Sequence, residues 1–143
     1  MIAVDTNLLV YAHRADSEWN AKAVACISDL AAGAWAIPWP CIHEFFAIVT
    51  HPKIYDPPSK PAQAITQIEA WLESPGLVLL AEAGGYWESL RDVLESGHIK
   101  GPRVHDARVA AICLTHNVRE LWTADRDFGR FPALRTRNPL SAR

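Results

Sequence analysis

Short apolar segments alternate with longer segments of helical periodicity along this 143-residue chain. Residues 2–4 form the first apolar run and lead directly into Asp5. The run LVLLA at residues 77–81 is continuous, which is typical of a strand covered on both faces, and we predict that it is fully buried. The predicted strands are residues 2–4, 34–37, 77–81 and 120–124, with a last short strand near residues 134–136.

Apolar residues recur at intervals of three and four between these strands, which predicts amphipathic helices. Ser17 is a candidate N-cap, the His51-Pro52 step ends a helix, and Gly97 is a candidate left-handed C-cap. The predicted helices are residues 8–14, 17–33, 40–50, a segment that contains residues 65–72, then 86–96 and about 104–115, whereas residues 101–103 and 125–131 are predicted to be a loop and a turn.

Strands separated by helices of ten or more residues require crossover connections, and these produce parallel strand pairs. The expected fold class is therefore α/β, with a central, mostly parallel sheet and helices on both faces. The chain contains no internal repeat, low-complexity tract or linker, so we treat residues 1–143 as a single domain.

The composition excludes several protein classes. Half of the residues are hydrophobic and 21% are charged, which is the balance of a globular protein and excludes long disordered stretches. The apolar runs are far shorter than the roughly 18 residues that a membrane span needs. The N-terminus has no basic leader, and the three scattered cysteines lack a CxxC pair, so we expect reduced thiols, no membrane partner and a cytoplasmic location.

Charge is distributed unevenly along the chain, although the net charge is only −2. Residues 98–143 carry nine Lys and Arg residues against four acids, whereas residues 1–97 have a net charge of −7. Eight of the nine basic residues are arginines, whose planar guanidinium group binds phosphate through two hydrogen bonds. This segment suggests a polyanionic partner, although a solvated face could carry the same charges.

Five acids are candidates for a common site. Asp5 and Asp125 each follow a predicted strand, and the carboxyl ends of parallel strands lie at one edge of the sheet, where open α/β folds bind ligands. Asp127 follows within a predicted turn that could direct it to the same place. Glu44 and Asp106 lie near helix starts between apolar residues, so we expect both to be close to the core.

Several buried carboxylates cannot all remain ionised without a counter-charge, because each raises the pKa of the others. A hard divalent cation such as Mg²⁺ supplies that charge and prefers oxygen ligands. Two such ions near four carboxylates can activate water and stabilise the leaving oxygen in phosphodiester cleavage. The Arg-rich segment fits the same chemistry.

Simpler roles exist for each acid taken singly. Asp5 and Asp106 could be helix N-caps or partners of the helix dipole, Glu44 could be a solvent-exposed helix residue, and Asp127 could only shape a turn. A zinc site is not indicated, because the six histidines do not occur in HExxH or CxxC-type spacing. Nucleotide-binding loops of the GxGxxG or GxxxxGK[ST] type are also absent from the sequence.

Four motifs occur in a recognisable order: a first strand ending in DTN, a helix with an inward Glu, HDAR on a later helix, and a strand ending in TADRDF. This order resembles that of PIN-domain ribonucleases. The runs VDTNLLVYAHR, PWPCIHEFFAIVTHPKIY, GPRVHDARVAA and ELWTADRDFGRF resemble the VapC toxins of bacterial toxin–antitoxin pairs. The resemblance extends from Ile2 to Leu140.

The resemblance implies a PIN-like fold and a metal-dependent endoribonuclease. Its carboxylates would bind Mg²⁺ or Mn²⁺, and hydroxyl and amide groups next to two of them would orient these carboxylates. It also implies a homodimer, an antitoxin whose tail covers the acidic site, and a structured RNA as the substrate. The residues carried over are Asp5, Glu44, Asp106 and Asp125 as the acidic quartet, Asp127 as an additional and weaker acid, and Thr6, Asn7 and Thr123 as orienting residues.

The reaction expected from both lines of reasoning is hydrolysis of a phosphodiester bond by metal-activated water, which leaves 5′-phosphate and 3′-hydroxyl ends. Asp5, Asp106 and Asp125 would hold the metal, and Glu44 would complete its shell or orient the water. A basic side chain, Arg108 or Arg126, would stabilise the developing charge, and Arg130 is a further candidate for contact with RNA phosphate.

Two other functions remain open from the sequence. The acids could be structural caps in a non-catalytic module whose Arg-rich third binds RNA or a protein. An aspartyl phosphatase of the haloacid-dehalogenase type also has an Asp after its first strand, but it requires DxD where this chain has DTN. Binding of a divalent metal distinguishes the nuclease from the cap network, because a cap network should not take up Mn²⁺.

Overall fold

Five short strands form one sheet in the computed structural model, which describes residues 1–141. Arg143, one of the nine basic residues counted above, lies outside the described residues. The strands are β1 (Ile2–Val4), β2 (Trp35–Pro38), β3 (Leu77–Leu80), β4 (Glu120–Trp122) and β5 (Thr136–Arg137). The helices are α1 (Thr6–His13), α2 (Asn20–Ala31), α3 (Trp39–Val49), α4 (Pro61–Leu72), α5 (Tyr86–Ser96) and α6 (Val104–Thr115), with two short 3₁₀ helices, η1 (Gly101–Arg103) and η2 (Arg126–Arg130).

The strand order is β3-β2-β1-β4-β5, and all four neighbouring pairs are parallel. The chain moves from β1 to β2 and β3 in one direction and then returns to β4 on the other side of β1. Because crossovers between parallel strands are right-handed as a rule, this reversal is expected to place α1–α4 and the pair α5–α6 on opposite faces. The α/β fold class and the parallel sheet predicted from the sequence are confirmed.

Strand register brings the ends of β1 and β4 together. Val4 pairs with Trp122, and the main-chain N–H of Asp5 donates to the carbonyl oxygen of Trp122 at 3.0 Å. The residues that follow these two strands, Asp5 and Thr123, therefore leave the sheet side by side. The reversal of chain direction at β1 makes this carboxyl edge the expected position of a ligand site.

Buried apolar side chains form one continuous core cluster around the sheet. Its largest fully buried members are Trp35, Phe45, Phe128 and Phe131. Because Phe128 and Phe131 belong to η2 and its end, the segment after β4 is anchored in the core rather than loosely attached. Within residues 1–141, no helix is both long enough and apolar enough to cross a lipid bilayer.

The structure corrects several local predictions. The LVLLA strand is not fully buried: β3 is an edge strand, and Val78 is 43% exposed. Ser17 does not cap α2, which begins at Asn20; its hydroxyl instead accepts a hydrogen bond from the Trp19 N–H at 3.1 Å. Gly97 has a right-handed φ of −85°, and the left-handed residue after α5 is His98, with φ 50°.

Two segments predicted to be irregular are helical. Residues 101–103 form η1, and most of the predicted DRDFGRF turn forms η2. The last strand, β5, comprises Thr136–Arg137 rather than the three residues centred on Arg135. These shifts matter for function because η1 and η2 carry charged residues next to the carboxyl edge of the sheet.

Candidate active site

All five candidate acids lie at or near the carboxyl edge of the sheet. Asp5 follows β1 and is the N-cap residue of α1, although its side chain makes no capping hydrogen bond. Asp106 lies in the first turn of α6, and Glu44 lies on α3. Asp125 precedes η2 and Asp127 lies within its first turn. The end of β1, the starts of α1, α6 and η2, and the middle of α3 therefore converge on one region. Glu44 is the sixth residue of α3 and not, as predicted, near its start.

Three of these carboxylates form a compact cluster. One oxygen from each of Asp106, Asp125 and Asp127 can be chosen such that all three lie within 4.8 Å of one another. The main-chain N–H of Asp127 donates to Oδ1 of Asp125 at 2.9 Å, which shows how the tight 3₁₀ turn keeps both side chains together. Asp127, the weaker candidate from the sequence, is thus one of the three central acids by position.

Asp5 lies outside this three-carboxylate cluster and is almost fully buried, with 6% of its surface exposed. The Thr123 hydroxyl donates to its Oδ2 at 2.7 Å, and the Cys41 thiol lies 3.6 Å from its Oδ1. Burial raises the pKa of Asp5 from 3.8 to about 6, against the lowering effect of the hydrogen bonds from Thr123 and the Thr6 main chain. Asp5 is therefore a carboxylate that is costly to ionise without a nearby cation.

The hydroxyl of Thr123 connects the end of β1 with the end of β4. Besides donating to Asp5, its oxygen accepts from the Asn7 side-chain amide at 3.2 Å and from the Asp125 main-chain N–H at 3.0 Å. Asn7 in turn accepts from the Ala124 N–H at 3.1 Å, and its amide lies 3.5 Å from Asp5 Oδ2. Two of the three predicted orienting residues, Asn7 and Thr123, thus contact the acids they were expected to orient.

The hydroxyl of Thr6 behaves differently. It is buried and makes no hydrogen bond to any side chain or carbonyl of residues 1–141. Only the main-chain N–H of Thr6 contributes to Asp5, by lowering the pKa of its carboxyl. The Thr6 hydroxyl therefore does not hydrogen-bond a carboxylate; it lies beside the Cys41 thiol, which is itself 3.6 Å from Asp5 Oδ1.

Glu44 is exposed, contrary to the prediction that it lies close to the core. Its neighbours Ile42 and Phe45 are buried, so the apolar residues around Glu44 cover one face of α3 while Glu44 occupies the other. Glu44 lines a cavity of about 410 Å³ between α3 and α6, and Asp106 lines the same cavity. Its negative charge contributes to raising the pKa of both Asp5 and Asp106.

The electrostatics of Asp106 show that the site carries excess negative charge. Burial raises the pKa of this half-buried carboxyl, and the charges of Asp125, Glu44 and Asp127 raise it further, in that order. The positive charge of Arg103 lowers this pKa, and the same guanidinium lies 3.0 Å from Oδ2 of Asp127. One half-exposed arginine is insufficient to balance this group of acids.

The three predicted phosphate-binding arginines surround the acids without contacting them. Two N–H groups of Arg108 donate to the same oxygen of Glu82, at 3.0 and 2.8 Å. Arg126 lines a cavity of about 380 Å³ that Asp125 also lines, and Arg130 lines another cavity with Asp106 and Asp127. All three guanidinium groups are thus near the acidic edge.

The sequence analysis missed Arg103, which pairs with Asp127, and Glu82, which pairs with Arg108. Arg103 comes three residues before Asp106, and the GPR segment that contains it was taken for a plain loop. That spacing was the available signal. For Glu82 the sequence carried no such signal, because only the tertiary structure brings the loop after β3 to Arg108 on α6.

The donor set fits a hard divalent cation. The cluster offers carboxylate oxygens from three side chains within a few ångströms, which is the ligand type that Mg²⁺ and Mn²⁺ prefer. The pKa values of Asp5 and Asp106 are raised mainly by burial and further by the negative charge of neighbouring carboxylates, and a bound cation would oppose both effects. His43 and His105 line the neighbouring cavity, but the three-carboxylate cluster itself contains no histidine or cysteine, so the described residues do not suggest a zinc site.

Comparison with known proteins identifies the family. The family model described as the PIN domain matches residues 2–134. The chain is 31% identical over 139 residues to Ribonuclease VapC48 of Mycobacterium tuberculosis, with 96% of each chain covered. Among solved structures, it resembles VapBC2 from Rickettsia felis bound to a DNA fragment from their promoter, with a TM-score of 0.69, 24% identity and coverage of 96% of this chain and 98% of the other.

It also resembles Mycobacterium tuberculosis VapC20, which is described as a Sarcin-Ricin loop cleaving toxin, with a TM-score of 0.65, 14% identity and coverage of 90% and 93%. These two structural likenesses concern the fold, since both identities are low. The family is shown by the match to the family model over nearly the whole chain and by the relative that is 31% identical. The chain belongs to the PIN domain family, with VapC ribonucleases among its relatives.

Proposed function

We propose that this protein is a Mg²⁺- or Mn²⁺-dependent endoribonuclease that acts as the toxin of a toxin–antitoxin pair. The observation that carries the proposal is the cluster of Asp106, Asp125 and Asp127 at the carboxyl edge of the sheet, with oxygens within 4.8 Å of one another. In a PIN-family chain with a relative named as a ribonuclease, such a cluster favours metal-assisted hydrolysis of RNA.

Asp106, Asp125 and Asp127 would hold the cation directly. When bound, a divalent cation lowers the pKa of water and stabilises negative charge on the phosphate oxygens. Glu44 faces the cavity beside Asp106, and its carboxylate accepts a proton or a hydrogen bond from water there. Asp5 lies beneath these groups and adds the negative charge that favours a cation at this edge.

Thr123 and Asn7 act as positioning residues in this proposal. Thr123 holds Asp5 through its hydroxyl proton and holds the Asp125 main chain through its oxygen. Asn7 fixes the Thr123 hydroxyl and the following main-chain N–H of Ala124. Preorganised carboxylates reduce the reorganisation that the reaction would otherwise require.

Arg108, Arg126 and Arg130 supply positive charge for the RNA backbone around the acids. Each lines a cavity that at least one of the site acids also lines, so in this proposal they would contact phosphates on either side of the cleaved bond. Arginine suits this role because its guanidinium binds phosphate through two parallel hydrogen bonds.

A structured RNA substrate and an antitoxin partner complete the proposal. The description of VapC20 as a Sarcin-Ricin loop cleaving toxin supports a folded RNA target, and the VapBC2 complex supports an antitoxin partner. Exposed apolar side chains on α2 and α4, among them Val24, Ile65 and Leu72, offer surface for an antitoxin or for the second copy in a homodimer. We place this reaction in the cytoplasm.

The first experiment incubates purified, antitoxin-free protein with total structured RNA and Mg²⁺ or Mn²⁺, beside an EDTA control. Asp106→Asn and Asp5→Asn test the site, and Asp92→Asn, at an exposed position on α5, is the matched control for loss of one acid. We expect discrete cleavage that requires metal, persists in the control and is lost in both site variants. The products should carry 5′-phosphate and 3′-hydroxyl ends.

Two results would contradict the proposal. Products with 2′,3′-cyclic phosphates would mean that the RNA 2′-hydroxyl, rather than water, is the nucleophile. Absence of cleavage together with absence of Mn²⁺ binding would favour a non-catalytic module that binds RNA or protein.

A further inference from the structure

A cationic cavity adjoins the carboxylate cluster between η1 and η2. Its volume is about 590 Å³. Its charged and titratable lining residues are His98, Lys100, Arg103, Arg130, Asp106 and Asp127. Because Asp106 and Asp127 belong both to this cavity and to the cluster, whatever binds to the cluster changes the charge of the cavity.

The charged residues that line the cavity determine whether its net charge rises or falls. With a neutral histidine, the three cationic side chains face two carboxylates, so the cavity has a net charge near +1. A divalent cation bound to the two carboxylates would cancel their charge and leave the three cationic side chains unopposed. The cavity would then attract a polyanion more strongly than it does in the metal-free protein.

Arg103 is the residue through which the cluster and the cavity are directly connected. Its Nη1 lies 3.0 Å from Oδ2 of Asp127, with the two side chains 42% and 50% exposed. In the described part of the chain, this is the one ion pair between a cationic side chain and the carboxylate cluster. Arg103 is anchored in η1 directly before α6, so its guanidinium can leave Asp127 and still remain in the cavity.

We propose that Arg103 and a divalent cation compete for Asp127, and that Arg103, once released, binds an RNA phosphate in this cavity. The inference rests on the proposed function, since it assumes that the cluster takes up a cation. Guanidinium binds carboxylate and phosphate groups alike, and the single Nη1 contact with Asp127 keeps the Arg103 guanidinium at the edge of the cluster, from which it can turn to a phosphate in the cavity. Metal uptake and RNA binding then favour each other.

That coupling is reciprocal. If the cation increases affinity for the polyanion, the polyanion must increase affinity for the cation by the same factor. A residue that mediates the coupling can therefore be tested from the metal side, without measuring cleavage.

The test measures Mn²⁺ affinity by isothermal titration calorimetry for the wild type, Arg103→Gln, Asp127→Asn and the double variant. Removal of the competitor should tighten Mn²⁺ binding of Arg103→Gln by about two- to fivefold, the range that half-exposed ion pairs contribute. The same substitution should have no effect in the Asp127→Asn background, because Arg103 no longer has a carboxylate to hold there. Lys100→Gln removes one charge from the same cavity without breaking a pair, so it should change the affinity less.

A second titration adds oligodeoxythymidylate, a polyanion that a ribonuclease does not cleave. It should tighten Mn²⁺ binding in the wild type and do so less in Arg103→Gln. Circular dichroism of each variant verifies that the fold is retained.

Three outcomes would overturn the inference. If Arg103→Gln tightens Mn²⁺ binding equally in the wild type and in the Asp127→Asn background, Arg103 acts by long-range repulsion of the cation and not by competition for Asp127. If Asp127→Asn binds no measurable Mn²⁺, the two single variants are compared instead. Equal tightening of Mn²⁺ binding by Arg103→Gln and Lys100→Gln would then also indicate long-range repulsion. A wild type that binds no Mn²⁺ would overturn the proposed function as well, so the two failures can be told apart.

Discussion

The Thr123 hydroxyl connects residues that lie more than a hundred positions apart in the chain. It donates one hydrogen bond to Asp5 and accepts two, from Asn7 and from the Asp125 main chain. A hydroxyl can both donate and accept, which neither a methyl group nor a carboxylate could do at this position. The geometry of Asp5 and Asp125 therefore depends on one buried polar side chain.

Replacing Thr123 by valine keeps the shape and removes the hydroxyl. We expect Thr123→Val to lower kcat for RNA cleavage by about 10- to 100-fold, the usual cost of losing a group that orients metal-binding carboxylates. Mn²⁺ affinity measured by calorimetry should fall in parallel. Thr123→Ser keeps the hydroxyl and should recover most of both properties, whereas equal losses in Val and Ser would indicate a packing defect.

Asp5→Asn should stabilise the metal-free protein at neutral and alkaline pH. The folded-state pKa of Asp5, about 6, lies above its ordinary value of 3.8, so the folded state holds this proton more tightly than the unfolded state does. The penalty for ionising Asp5 is absent below about pH 4, grows as the pH rises towards 6 and is complete above it. A shift of this size corresponds to about 2–3 kcal/mol, which sets an upper bound for the gain.

Urea unfolding in EDTA at about pH 4 and pH 8 measures this difference. We expect the gain from Asp5→Asn only at the higher pH. Asp29→Asn, at an exposed position on α2, is the control and should show no such dependence on pH. A large loss of stability at both pH values would contradict a clustered acidic site.

At the scale of elements, short 3₁₀ helices and strand ends position the charged groups. η2 holds Asp127 beside Asp125 because Phe128, one residue further, is buried in the core. α3 presents Glu44 to solvent because its other face packs Ile42 and Phe45 inside. The apolar partners of each element thus decide where its acids point.

The β2–β3 edge depends on close contact between two glycines. A side chain on Gly76 would overlap the carbonyl group of Gly33, and this is main chain that cannot swing away. We expect Gly76→Ala to lower the free energy of unfolding by roughly 1–3 kcal/mol, the usual cost of overpacking. Gly33→Ala is the matched control, because a side chain there would meet no atom within 4 Å. Urea denaturation compares the two, and equal losses would argue against the contact.

At the scale of the whole molecule, the net charge is only −2, but acidic and basic side chains are concentrated next to each other at one edge of the sheet. Acids from β1, α3, α6 and η2 meet there, and arginines from η1, α6 and η2 surround them. Because the acids repel one another, the fold itself should be sensitive to the ion that they bind.

We therefore expect Mn²⁺ to raise the melting temperature. At about 100 times the dissociation constant, a ligand specific to the folded state adds about 2.7 kcal/mol, which corresponds to several degrees for a chain of this size. Differential scanning fluorimetry with and without EDTA tests this. Asp106→Asn should abolish most of the increase in melting temperature. If Mn²⁺ does not change the melting temperature of the wild type, the metal site is contradicted.

Hydrophobic periodicity by itself determined the α/β class, the parallel sheet and the approximate positions of β1–β5 and α1–α6, and it placed Asp5 at the end of β1. Asp125 was expected directly after a strand, but β4 ends at Trp122, three residues earlier. These features follow from local patterns, because spacing along the chain decides which face of an element is apolar. The order of DTN, HDAR and TADRDF was likewise readable from the sequence and led to the PIN family, which the comparisons confirm. Such information is contained within short segments.

Only the tertiary structure decided how distant segments meet. It placed β3 at an edge, which exposes part of a strand predicted to be buried. It put Asp127 into the central cluster, turned Glu44 outward and paired Arg103 with Asp127. A side chain's contacts depend on strand order and on the packing of segments far apart in sequence, and no local pattern records either of these.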